Sequence, residues 1–78
     1  MTDHVLYVVE VLGSDEDLMY MIEEINQWMH DQRVYAICIR FYWASETLVF
    51  RVAFNTLTEA TSFARGFDGR LFEAPAAE

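Results

Sequence analysis

The chain has no lysine, and its only strongly basic side chains are five arginines, against thirteen aspartates and glutamates. The resulting net charge of −8 argues against direct nucleic-acid binding, which needs clustered positive charge. No uninterrupted apolar run approaches the roughly 20 residues that cross a bilayer, and the N-terminus lacks the basic and apolar regions of a secretory signal. We therefore expect no direct nucleic-acid partner and no membrane partner.

Cysteine, glycine and proline are also scarce. The single cysteine, Cys38, cannot form an intrachain disulfide, so we expect a cytoplasmic location, where thiols stay reduced. Cys38, His4 and His30 lack the spacing of metal ligands. No glycine-rich phosphate loop is present, and no serine lies in a nucleophile elbow. We expect no cofactor, no metal site and no enzymatic activity.

Apolar residues are abundant, at 54% of the chain, and include six Phe, four Tyr and two Trp. This content excludes intrinsic disorder. A chain of 78 residues has room for one hydrophobic core, so we predict a single domain over residues 1–78. Its alanine-rich end, residues 74–78 with Pro75, is expected to fray.

Hydrophobic periodicity predicts four strands and two helices. Ser14 is expected to cap the first helix, with acidic residues in its first turn. Thr56 and Glu59 have the spacing of a capping box at the start of the second. The predicted strands are 4–12, 34–43, 47–54 and 70–73; the first helix runs to about Gln32, and the second ends at Gly66 or Gly69.

The element order βαββαβ resembles the split βαβ arrangement of ferredoxin-like domains. This resemblance covers nearly the whole chain and implies an α+β fold. Its sheet has four antiparallel strands in the order 4-1-3-2, with two helices on one face. Because many unrelated functions share this fold, it does not indicate what the protein does.

Alternation along the strands assigns side chains to two sheet faces. The face expected under the helices carries no charge and consists of Val5, Tyr7, Val9, Val11, Tyr35, Ile37, Ile39, Phe41, Trp43, Leu48, Phe50, Val52 and Phe54. The opposite, open face is mostly apolar, whereas a solvated face is mostly polar. Because its residues Leu6, Val8, Val49 and Ala53 would otherwise be exposed to water, we expect a second subunit or crystal neighbours to cover them.

Two arginines and a glutamate lie near the middle of this open face. A hairpin turn at Ser45 and Glu46 would place Arg40 directly opposite Arg51. Like charges in that position repel, so we expect Glu10 to lie within salt-bridge reach of Arg51 or Arg40. Three interpretations remain open: an ion cluster within one chain, a dimer interface, or a small anionic ligand held by the guanidinium groups.

The first helix is predicted to carry an acidic face with an aromatic residue in its middle. No arginine or lysine precedes Arg33 on this helix, so stabilising i,i+4 ion pairs are absent. The face is either simply solvated or a docking surface for a basic partner. Its residues are Glu16, Asp17, Tyr20, Glu23, Glu24 and Asp31.

In size, acidity and lack of catalytic apparatus, the chain resembles small phage- or mobile-element-encoded inhibitors, notably anti-CRISPR proteins. The resemblance is one of profile over the whole chain. It implies an inhibitor whose carboxylates stand in for phosphates and block a basic surface of a CRISPR effector complex. The alternative is a dimeric ligand-binding or regulatory module, similar to ACT-type domains or dimeric α+β barrels, that uses the open sheet face.

Overall fold

The computed structural model describes residues 5–13 and 18–75. Its element order and its antiparallel sheet, with strand order β2-β3-β1-β4, confirm the predicted ferredoxin-like α+β fold. The elements are β1 (Val5–Gly13), α1 (Leu18–Gln32), β2 (Cys38–Ala44), β3 (Thr47–Phe54), α2 (Leu57–Phe67) and β4 (Arg70–Pro75).

A two-residue turn fixes the register of the β2–β3 hairpin. Ala44 pairs with Thr47, and Arg40 lies opposite Arg51 as predicted. Ser45 has a φ of 58°, the positive value that a type II′ turn requires at its first central position. Because the pair that closes such a turn is hydrogen-bonded and bonded pairs alternate along the ladder, every second residue of β2 points its backbone groups away from β3.

These outward-pointing N–H and C=O groups belong to Ile39, Phe41 and Trp43. β2 lies at one edge of the sheet, so no strand in the described part of the chain pairs with them. The same three residues point their side chains to the helix side of the sheet, in line with the buried residues of β3 that they oppose.

The core lies between the sheet and the helices and is centred on β3, whose inward side chains are completely buried. Phe63 of α2 packs its ring against Phe54 at 5.4 Å and against Phe67 at 4.5 Å. The buried cluster consists of Val9, Val11, Ile25, Met29, Leu48, Phe50, Val52, Phe54, Ala60 and Phe63.

The two helices contact each other through Trp28 of α1. Its ring lies edge-on to Phe63 at 5.2 Å and to Phe67 at 6.3 Å. Gly66 makes this approach possible, because a Cβ at that position would lie 3.0 Å from Trp28 Nε1. The helix layer therefore sits over β1 and β3, where the buried inward residues are found.

The prediction that Tyr35, Ile37, Ile39, Phe41 and Trp43 lie under the helices is wrong. These five side chains are between 42% and 68% exposed. The physical reason is the position of the helix layer: α2 packs on β1, β3 and β4, and α1 leans on α2 through Trp28. The edge strand β2 is left uncovered on its helix side.

The predicted strand 34–43 begins four residues too early. Arg33 has a left-handed φ of 57°, and the Val34 N–H donates to the Met29 carbonyl at 3.1 Å. This bond closes the end of α1 in the manner of a Schellman motif, so Val34 serves the helix end, and β2 begins only at Cys38.

The predicted fraying of residues 74–78 is wrong for the first two of them. Ala74 pairs with Leu6 and Pro75 with Val5, at the end of β4. Proline is tolerated there because an edge strand need not donate from every N–H. Residues 76–78, and the predicted cap at Ser14 with its acidic first turn, lie outside the described residues.

α2 begins and ends with defined caps. The Thr56 side chain accepts a hydrogen bond from the Glu59 N–H at 3.2 Å, which confirms the predicted N-cap. At the other end Asp68 adopts the left-handed conformation, with φ 54° and ψ 42°, and the Gly69 N–H donates to the Ala64 carbonyl. Asp68 is poorly suited to this place, because its backbone is strained and its negative charge lies at the negative end of the helix dipole.

Replacing Asp68 with glycine should raise the free energy of unfolding by about 1 kcal/mol, because glycine adopts the left-handed conformation without strain. Urea denaturation measures this difference. Asp68→Asn is the matched control, since it removes the charge but keeps the shape of the side chain. Its gain in unfolding free energy should be smaller than that of Asp68→Gly. Equal stabilities for wild type and Asp68→Gly would contradict the proposed strain.

Candidate functional site

The exposed side of α1 carries acidic side chains around a tyrosine. We call this surface the acidic face; in the described residues it consists of Tyr20, Glu23, Glu24, Gln27 and Asp31, all exposed. Glu16 and Asp17, which the sequence also predicts there, lie outside the described residues. Tyr20 is 62% exposed and therefore presents a flat, amphipathic ring among the carboxylates.

Helical geometry brings these residues together. At 1.5 Å rise per residue, Tyr20 and Asp31 are about 16 Å apart along the helix axis, and Glu24 and Asp31 about 10 Å. The Gln27 Nε2 donates to Asp31 Oδ1 at 2.9 Å. The opposite side of α1 is apolar, and its residues Ile25 and Met29 are buried in the core, so the helix cannot rotate its acidic face inward.

No described cation forms a salt bridge with the acidic face. The one salt bridge among residues 5–13 and 18–75 joins Arg51 to Glu10 on the sheet. The carboxylates of Glu23, Glu24 and Asp31 therefore have no ion-pair partner within that part of the chain. The helix therefore lacks the stabilisation that i,i+4 ion pairs would give, and its surface carries a negative electrostatic potential that attracts positive charge.

A row of four charged residues crosses the open face, one from each strand. Arg40 lies opposite Arg51, Arg51 opposite Glu10, and Glu10 opposite Arg70. Glu10 thus lies between Arg51 and Arg70 in this row, and Arg40 lies one strand beyond Arg51. The region is locally cationic, although the chain as a whole is strongly acidic.

Glu10 pairs with Arg51, as the sequence predicted. The Arg51 Nε and Nη2 atoms both lie 3.1 Å from Glu10 Oε2. The guanidinium group also stacks near two rings, 5.4 Å from the Tyr42 centroid and 5.5 Å from that of Phe72. Glu10 is 18% exposed and Arg51 45%, so the pair is only partly shielded from water.

The premise that Val8, Val49 and Ala53 would be exposed to water in a single chain is wrong. Within one chain they are only 8%, 4% and 8% exposed, and Leu6 is half-buried. Larger side chains lie directly across from two of them, with Tyr42 opposite Val49 and Phe72 opposite Val8. Cross-strand neighbours on the same face are close enough to shield them.

A shallow groove of about 450 Å³ runs over one end of this open face. Arg40 and Arg51 lie in its lining, together with apolar residues that include Leu6, Ala53 and Phe72. This volume falls within the range of small-molecule sites, which are mostly apolar with a few polar groups. Ile37, placed by sequence under the helices, lines this groove instead.

Arg70 and Phe72 are two contributors to the open face that sequence reasoning missed. Alternation along β4 places Arg70, Phe72 and Ala74 on one face, but it does not say which. That assignment depends on the register between β1 and β4, and no tight hairpin joins these strands to reveal it.

The remaining chemistry of the described residues is sparse. Cys38 is a free, half-buried thiol. Among residues 5–13 and 18–75, no three His, Cys, Asp or Glu side chains are grouped so as to hold a metal ion. No helix in the same part of the chain has the length and apolar character needed to cross a membrane.

In comparisons with known proteins, no family model, curated protein or solved structure matches the chain. The acidic face and the open sheet face are therefore the two surfaces on which functional inference rests. They differ in charge, and each would select a different class of partner.

The Arg51–Glu10 pair should contribute measurably to stability. Glu10→Gln keeps the shape of the side chain but removes the charge that the guanidinium groups face, and we expect a loss of about 1–2 kcal/mol in unfolding free energy. Glu73→Gln is the matched control, because Glu73 is exposed and has no salt bridge among the described residues. Equal melting temperatures for the two variants would show that the pair is merely solvated.

Proposed function

We propose that this protein is a non-enzymatic, cytoplasmic interaction protein that docks its acidic face on a basic surface of another protein and blocks that surface. The observation that supports this proposal is the exposed arc of α1. It presents Glu23 and Glu24 next to Tyr20 and Asp31 about two turns further along the helix, with no ion-pair partner among the described residues. Glu16 and Asp17, just before α1 in the sequence, belong to the proposed surface.

The physical basis of docking is electrostatic steering followed by anchoring. A surface of one charge sign accelerates encounter with an oppositely charged partner and discriminates against partners of like charge. Tyr20 supplies the type of residue that anchors interfaces, with a rigid ring and a polar hydroxyl group. Both contributions come from one helix held in place by its buried apolar side.

The proposed partner is a protein whose basic surface normally binds nucleic acid. Lysine and arginine clusters on such proteins contact phosphates in a regular row, and the carboxylates of α1 would occupy the same contacts. A CRISPR effector complex is the instance implied by the resemblance of the chain to anti-CRISPR inhibitors. In that case binding of the inhibitor and of nucleic acid is mutually exclusive.

The double variant Glu23→Gln, Glu24→Gln tests this proposal, because glutamine and glutamate have similar helix propensities. Wild type and variant are used as baits in a bacterial lysate, and the protein retained by wild type is purified and titrated with both. We expect about tenfold weaker binding or more, mainly through a slower on-rate, and weaker wild-type binding at higher salt. DNA should compete with wild type for the partner.

The matched control is Glu46→Gln, Glu73→Gln, which changes the net charge equally at two exposed sites away from α1. It should bind almost as wild type does. Equal losses in both double variants would indicate a non-specific charge effect. A partner that binds DNA and this protein at the same time would contradict the proposed blocking.

The groove on the open face favours a second candidate, a ligand-binding or regulatory module. Arg40 and Arg70 have no salt bridge among the described residues, and Arg40 borders an apolar groove. A small anion with an apolar body would match this combination. The second candidate is preferred if Arg40→Gln abolishes what the chain binds, while the α1 double variant does not.

A further inference from the structure

The uncovered edge strand β2 carries an apolar row on its helix side. Ile39, Phe41 and Trp43 are about half exposed, and their backbone groups point away from β3. Exposed apolar edge strands pair with other strands unless charges, prolines or bulges protect them. β2 has no proline, and its single charge, Arg40, lies on the opposite face.

We propose that β2 pairs antiparallel with β2 of a second copy of this chain, around a two-fold axis at Phe41. Two four-stranded sheets would join into one continuous sheet, and the apolar rows of both copies would lie side by side between the two helix layers. This inference is independent of the proposed function, because it uses a different surface. The acidic face would attract a positively charged partner, whereas the edge of β2 carries no acidic residue.

The side chains of β2 fit this register. All seven residues of the strand pair when Phe41 faces Phe41 of the second copy and Ile39 faces Trp43. The outward backbone groups of the two strands then meet each other. On the open face Arg40 faces Tyr42 of the second copy, which allows a cation–π contact.

Neighbouring registers are less favourable. A slip by two residues in one direction places Arg40 opposite Arg40 of the second copy, and like charges in that position repel. A slip in the other direction leaves two residues of each β2 without a partner. Slips by one residue would bring outward backbone groups against inward ones, so they form no ladder.

The charge distribution favours a second copy over a basic partner at this edge. No acidic residue occurs between Asp31 and Glu46, whereas Arg33 and Arg40 do. A basic protein would find no counter-charge along β2. Two copies of a chain with net charge −8, by contrast, meet here with the least repulsion.

The available area predicts a weak dimer. Aromatic side chains bury 150–250 Å² each, so the half-exposed apolar row, Tyr42 and the strand edge together offer on the order of 500 Å² per copy. A stable interface needs about 800 Å² per partner. We therefore expect association at high micromolar concentration rather than a permanent dimer.

Sedimentation equilibrium from about 10 µM to 1 mM, at low and high salt, tests the proposal. Wild type should dimerise, and the dimer should tighten as salt screens the repulsion between two acidic chains. Docking on a basic partner has the opposite salt dependence, so the two proposals fail separately. Phe41→Glu should weaken the dimer about tenfold or more, because two carboxylates would face each other at the axis.

Leu57→Glu is the matched control, since it changes the charge equally at an exposed apolar residue outside β2; its dimer should remain close to wild type. Phe41 also contacts the Phe50 ring, at 5.7 Å, so circular dichroism must show that Phe41→Glu folds. Ile39→Ser, without a charge change, is the second variant and should also weaken the dimer.

A cysteine variant tests the register directly. In this pairing Cys38 lies opposite Ala44 of the second copy, so Ala44→Cys should form a covalent dimer under mild oxidation, visible on a non-reducing gel. Within one chain these positions are about 20 Å apart along the strand, too far for a disulfide. The double variant Ala44→Cys, Cys38→Ser should not cross-link at this position.

Three results would each overturn the proposed pairing. The first is a wild type that is monomeric at every concentration and salt. The second is a dimer that folded Phe41→Glu and Ile39→Ser leave unchanged, which would place the interface elsewhere. The third is a dimer that those variants weaken but that Ala44→Cys does not cross-link, which would exclude this register.

Discussion

The contact between Trp28 and the aromatic residues of α2 determines how far the helix layer extends over the sheet. Its indole packs on Phe63 and Phe67, beside a glycine, Gly66, that leaves room for it. Both helices are thereby held over the central strands, where β1 and β3 supply the buried core. As a consequence the helices do not cover the edge strand β2, and its apolar side chains Ile39, Phe41 and Trp43 remain about half exposed.

Charge divides the molecule into regions with different potential partners. The carboxylates of α1 face solvent without a described counter-ion, while three of the five arginines line up around Glu10 on the open sheet face. The outer edge and the helix side of β2 belong to neither region, since the single charge of the strand, Arg40, lies on the open face. A basic protein, a small anion and a second copy would therefore each be selected by a different surface.

The sequence predicts three features correctly: the element order, the hairpin register and the Glu10–Arg51 pair. They follow from local periodicity and from one short turn. The sequence does not predict the exposure of Ile39, Phe41 and Trp43. Alternation shows which face a side chain takes, but not how far the helices reach across it. The buried state of Val8 and Val49 does not follow from alternation either, because their cover comes from the larger cross-strand neighbours Phe72 and Tyr42.

The ends of the strands and the membership of the candidate site show the same difference between local features, which the sequence predicts, and long-range ones, which it does not. Val34 donates to the helix end instead of a sheet ladder, which periodicity alone does not reveal. Arg70 enters the charged row only through the β1–β4 register, which depends on long-range packing. The acidic face of α1 could be predicted because helical spacing is local, and the residues predicted on it are all exposed where the structure describes them.

The proposed dimer depends on one feature, an outer edge of β2 that pairs with the same edge of a second copy. Residue-resolved amide exchange by NMR, at about 50 µM and 1 mM protein, tests it most directly. The N–H groups of Ile39, Phe41 and Trp43 should exchange fast at low concentration and slow down as the dimer forms. Those of Arg40 and Tyr42, bonded to β3, should be protected throughout. Equally fast exchange of the three outer amides at both concentrations would contradict the proposed pairing.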